Sequence, residues 1–162
     1  MNKKIVYSAV AALLVVILIG LGAAFSNSRS GADDSGDISW YSYEDGVEQI
    51  KKGDKKGYIH FYTDWCGYCK KMEDETFSDS DVAENLNQDF VPIKINAEDE
   101  PDIARQYGAD QFPSNHFTDG DNEPIGTQPG FIPPDMMVNV LKYLSTGEYK
   151  KMQFDEFMDD RQ

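Results

Sequence analysis

The run from Gly57 to Lys71, GYIHFYTDWCGYCKK, limits what this chain can fold into more than any other stretch. Tyr58 to Tyr62 is aromatic and β-branched, as a buried strand requires, and it delivers Cys66, Gly67, Tyr68 and Cys69 to a point where a helix can begin. At a helix N-terminus the unpaired backbone N–H groups and the macrodipole favour a thiolate. The pKa of Cys66 should therefore fall from roughly 8.5 toward 7 or lower. Cys69, one turn further in, lies within bonding distance and can resolve a mixed disulfide by displacing the substrate thiol. The spacing predicts a reversible redox couple that needs no cofactor beyond its own Cys66–Cys69 disulfide.

Two other uses of the pair compete. Half of a zinc site is one, but the chain has only two cysteines, so His60 and His116 or carboxylates would have to supply the remaining ligands. A purely structural bridge is the other; so short a loop removes little chain entropy, and structural bridges more often close longer ones.

The remaining pattern alternates strands and helices. Ile38 to Tyr43 reads as a short strand or packed arm, and Glu44 to Lys52 as a helix with Val47 and Ile50 on one face and Gly53 beyond its end. Phe77 to Asn87 reads as a helix with Ser78 or Ser80 as its cap, and Phe90 to Ile95 as a strand. Glu100 to Tyr107 is a short helix stopped by Gly108. Ser114 to Thr118 is a strand, and a turn at Asp119 to Asn122 leads to another at Pro124 to Gln128. Pro133, Pro134 and Asp135 start a helix that runs to Ser145 and ends at Gly147. In the tail, Phe154, Phe157 and Met158 share one helical face, which reads as a short packed helix, with a partner-binding segment as the alternative. This order predicts an α/β domain with a central mixed sheet flanked by helices.

Residues 5–25 carry no charge and are almost wholly apolar, long enough for one N-terminal transmembrane helix. Lys3 and Lys4 precede them, which holds the N-terminus in the cytoplasm and places the chain after residue 25 on the exported side. A cleaved signal peptide is the competitor, but the stretch exceeds the usual ~7–15-residue apolar core, so an uncleaved anchor is expected. Both place the cysteines where disulfides persist. Residues 26–37 read as a Ser/Gly/Asp-rich linker, 38–146 as the domain and 147–162 as the tail. The formal charge is −14. Two of the 15 basic residues precede the apolar stretch, leaving 13 against 29 acidic residues, which argues against nucleic acid or anionic lipid surfaces as partners.

The segment from Asp64 to Lys70, DWCGYCK, resembles the active site of thioredoxin-like proteins. Thr76, Phe77, Ser78 and Asp79 with Val82 narrow the likeness to the subgroup that includes the C-terminal domain of the transmembrane thiol:disulfide interchange protein DsbD. The likeness covers residues 44–146 and implies a thioredoxin fold. It also implies that Pro113, in Phe112-Pro113-Ser114, is a cis-proline facing the cysteines, with the Phe112 backbone turned outward to pair with an extended substrate. An ordinary turn proline is the alternative. By the same resemblance Trp65 covers the pair, and Gly67 and Tyr68 shape the substrate contact and redox potential.

The sequence departs from its relatives at three places. Gln111 stands where they have glycine, Asn115 and His116 interrupt an apolar run, and His60 replaces the buried acid six residues before the first cysteine. A neutral imidazole at 60 can serve as the proton acceptor for Cys69, or it can be a hydrogen-bonded core histidine without a catalytic part. Lys94 aligns with a buried lysine; its ammonium would help the Cys69 thiolate, or the strand presents it to water. His116 either approaches His60 across adjacent strands as a coupled pair or is a satisfied sheet histidine.

The expected function is a thiol:disulfide oxidoreductase that reduces extracytoplasmic protein disulfides, bound to a bacterial cytoplasmic membrane with its domain on the periplasmic side and supplied with electrons by a transmembrane thiol carrier. An oxidase or isomerase using the same cysteines, and a binding module without turnover, are the alternatives.

Overall fold

The computed structural model describes residues 37–53 and 55–161. The expected transmembrane segment and nearly all of the expected linker lie outside the described residues. Among the described residues no helix is long and apolar enough to cross a membrane.

Helix α1 (Tyr43–Lys52) opens at Ser42, whose Oγ accepts the Asp45 N–H at 3.3 Å. Acidic Glu44 and Asp45 in its first turn, and Lys51 and Lys52 in its last, match the helix dipole. Strand β1 (Lys56–Tyr62) leads into α2 (Gly67–Lys71), which continues as a π-helical turn over Met72–Thr76. Helix α3 (Ser80–Asp89) and β2 (Phe90–Asn96) come next. Then come α4 (Pro101–Gln106), β3 (Ser114–Thr118), β4 (Pro124–Pro129), α5 (Pro134–Ser145) and α6 (Phe154–Asp159).

One detail differs from the sequence expectation. The segment after Thr76 does not begin a helix at Phe77, and neither Ser78 nor Ser80 caps α3. Asp79 does, because its Oδ1 reaches both the Asp81 and Val82 N–H groups at 3.0 and 3.1 Å, while Ser78 Oγ donates backward to the Asp74 carbonyl at 2.7 Å. Of the two readings for the segment from Ile38, the packed arm holds and the strand does not. Tyr41 makes an isolated parallel bridge to Ile93, and Ile38 is buried in the core.

The sheet order is β2-β1-β3-β4, with β1 and β2 parallel and the other neighbours antiparallel. Because side chains alternate across a strand, β1 divides its residues between two cores. Ile59 and Phe61 join Ile50, Ile93, Ile95 and Ala104 beneath α1 and α4. Tyr58 joins Met72, Phe77, Leu86, Phe117, Met137 and Leu141 beneath the π-turn, α3 and α5. His60 belongs to the Tyr58 face. Helix α6 packs on α5 through Tyr143, whose ring lies 5.3 Å from Phe154 and 5.2 Å from the buried Phe157.

Candidate active site

Cys66 is the N-cap of α2. Its backbone is extended, its N–H donates to the Thr63 carbonyl at 3.2 Å, and its carbonyl accepts from Lys70 at 3.2 Å. The end of β1 thus aims residue 66 at the first turn of the helix. Cys69 lies one turn on, with a Cα–Cα separation of 5.2 Å, and the two form a disulfide. The Cys69 N–H also donates to Cys66 Sγ at 3.1 Å. That contact would stabilise negative charge on the sulfur once the bond is opened. Both cysteines are buried, at 4% and 3% exposure.

Both aromatic residues beside the pair face solvent. Trp65 is 70% exposed and Tyr68 65%. Trp65 Nε1 donates to Glu98 Oε1 at 3.2 Å, the Asp64 N–H donates to Glu98 Oε2 at 3.2 Å, and the Trp65 ring meets Phe112 edge-on at 6.2 Å. Gly67 opens α2 and is exposed. The Phe112–Pro113 peptide is cis. The Pro113 carbonyl accepts from the Gly130 N–H at 2.7 Å, and Pro113 is buried.

His60, Lys94 and Asn115 are brought side by side, since His60 pairs with Lys94 on β2 and with Asn115 on β3. His60 is fully buried, and burial pushes its pKa down to about 4, with the hydrogen bond to Asn115 opposing and the Lys94 charge adding to the fall. Its Nδ1 lies 3.0 Å from Asn115 Oδ1. Lys94 is neither fully buried nor free. Its Nζ pairs with Glu73 Oε1 at 2.6 Å and lies over the Tyr62 and Trp40 rings at 5.0 and 5.7 Å.

The His60–His116 pair is excluded by the register. His116 sits opposite Ile59, so it points to the other face, where Ser114 Oγ and Thr127 Oγ1 meet its two nitrogens at 2.9 and 3.1 Å. The two histidines therefore cannot join the cysteines in one zinc site. Three residues that sequence reasoning did not place here are Glu73, Glu98 and Trp40. Glu73 had a weak signal, its position four residues after Cys69; the other two come from segments distant in sequence.

The thioredoxin-like domain family matches residues 43–145. Thioredoxin of Borreliella burgdorferi is 30% identical over 109 residues, covering 65% of this chain and 86% of that protein. The chain spans only 14% of an uncharacterized protein of Caenorhabditis elegans, 30% identical over 107 residues and 60% of this chain. It spans 9% of human spermatogenesis-associated protein 20, 27% identical over 71 residues and 43% of this chain. A thioredoxin from Thermus thermophilus superposes with a TM-score of 0.62 at 21% identity, over 72% of this chain and 98% of that one. The oxidoreductase DsbH does so with 0.56 at 17% identity, over 72% and 87%. The family match runs from α1 to the end of α5, across all four strands and the cysteine pair, and the chain therefore belongs to the thioredoxin-like domain family.

Proposed function

We propose that the chain is a thiol:disulfide oxidoreductase that reduces disulfides in extracytoplasmic proteins. The observation that carries this reading is the Cys66–Cys69 disulfide closed across the first turn of α2, with Cys66 as the helix cap. In the reduced protein the Cys66 thiolate attacks one sulfur of a client disulfide. A Cys66–client bond forms and the first client thiolate leaves and takes a proton. Cys69 then loses its proton to His60, with Lys94 supplying positive field, and its thiolate attacks Cys66 Sγ. The protein disulfide forms, the second client thiolate leaves, and two electrons have passed to the client.

Trp65, Gly67 and Tyr68 on one side, and the Phe112–Pro113 loop on the other, form the surface that receives the client. Neither backbone polar group of Phe112 takes part in a backbone hydrogen bond among the described residues, which suits pairing with an extended segment. Residues 1–25 serve as a single-pass anchor in a bacterial cytoplasmic membrane with the domain in the periplasm, or as a signal that frees it there when cleaved. A transmembrane thiol carrier returns the electrons, in keeping with the likeness to the DsbD domain.

A trap tests the reading. The Cys69→Ser variant should accumulate a client joined to Cys66, identifiable by mass spectrometry. If no adduct forms and wild type reduces disulfides no faster than Cys66→Ser, the chain is a binding module. Equilibration with glutathione sets the direction: near roughly −270 mV the protein is a reductant, and above roughly −180 mV an oxidant or isomerase.

A further inference from the structure

Among the described residues His60 Nε2 is buried and has no hydrogen-bond partner. Its state is set by the neighbouring amide. Asn115 Nδ2 donates to the Gln128 and Gly130 carbonyls at 3.0 and 3.1 Å. Carbonyls only accept, so the amide cannot be flipped, and Oδ1 must face the Tyr58 hydroxyl at 2.7 Å and His60 Nδ1 at 3.0 Å. An amide oxygen also only accepts. Nδ1 therefore carries the hydrogen, and a neutral imidazole has just one. Nε2 is left as a bare lone pair on the sheet face covered by the turn that continues α2, with the Phe77 ring edge-on at 4.9 Å.

We propose that Asn115 is a positioning residue for thiol–disulfide exchange: its fixed amide holds His60 as the Nδ1–H tautomer and so keeps Nε2 open as the acceptor of the Cys69 thiol proton. The proposal rests on reading Cys66 and Cys69 as an exchange couple. In the balanced step, the Cys69 S–H bond breaks, Nε2 takes the proton, and the thiolate attacks Cys66 Sγ. The departing client thiolate then recovers the proton. The charged and titratable groups around the imidazole are Tyr58 and Tyr62 on β1 and Lys94 on β2, with Glu73 of the π-turn paired to Lys94. Burial and Lys94 make the imidazolium costly, so Nε2 holds the proton only in passing before the departing thiolate takes it. Through Gly130, which donates to the Pro113 carbonyl at 2.7 Å, the same amide is linked to the loop that receives the client.

Two readouts on the reduced full chain test this. The ¹⁵N spectrum of the His60 ring should show a protonated Nδ1 and an unprotonated Nε2 in wild type, and Asn115→Ala should mix or invert the tautomers. With thionitrobenzoate preloaded on Cys66, its displacement by Cys69 near pH 7 should slow about ten- to hundredfold in Asn115→Ala, with the pH profile moved upward. The double variant with His60→Ala should be no slower than His60→Ala alone. Asn115→Ser is run beside it in case Asn115→Ala does not fold, and the wild-type spectrum needs no variant. A wild-type Nε2–H signal overturns the proposal, as does additive slowing in the double variant. If wild type never displaces the probe, the exchange reading falls and the proposal with it. Equal rates with and without Asn115 overturn the proposal alone.

Discussion

At residue 60, burial and the neighbouring Lys94 charge both disfavour the protonated ring, and they outweigh the hydrogen bond to Asn115 that favours it. Its folded-state pKa is about 4 against 6.5 in the unfolded chain. Between those values the unfolded chain binds a proton that the folded chain excludes. Stability from this group is thus fully present above pH 6.5 and is lost as pH falls toward 4. The loss between pH 7 and 4 should be about 3 kcal/mol. Urea denaturation at both pH values should show His60→Gln losing less than wild type by that margin; equal losses would mean that the ring is protonated in the fold. The other histidine was open to two readings from sequence, and only the β1–β3 register decides between them. A one-residue shift would have turned His116 toward His60.

At the scale of elements, the pattern of apolar residues and breakers located the four strands and the main helices, because burial on one face sets their periodicity. The cap of α3 was not legible. Ser78 and Ser80 were the expected caps and Asp79 between them was not, and only the backbone path chooses among three neighbours that can all cap a helix. Asp79→Ala should cost about 1 kcal/mol by urea titration, while Ser80→Ala should stay within about 0.5. The π-turn over Met72–Thr76 also has no mark in the composition. Helix α1 approaches β2 closely at Gly46, where an added Cβ would overlap the buried Ile93 side chain. Gly46→Val should therefore destabilise by about 1–3 kcal/mol in the same assay. An unchanged midpoint would show that α1 stands off the sheet.

For the whole molecule, the path from strand to cysteine pair to helix could be read from one stretch because its chemistry is local. The polar network behind it could not, since Asn115 and Lys94 meet His60 through strand pairing and Glu73 reaches Lys94 from the turn after α2. Anchoring through residues 1–25 is testable separately. The full chain should remain with bacterial membranes after a high-salt wash, and its reduced cysteines should react with an impermeant maleimide added from outside. Release by salt, or reaction only after lysis, would contradict the anchor.

The proposed chemistry requires residue 66 to carry an ionised, attacking sulfur. The most direct test is the rate of alkylation of reduced Cys66 as a function of pH, read by mass spectrometry in the Cys69→Ser chain. The expected midpoint is about 7 or below. A midpoint at about 8.5 or higher, or a sulfur that does not alkylate in the folded chain, would contradict it.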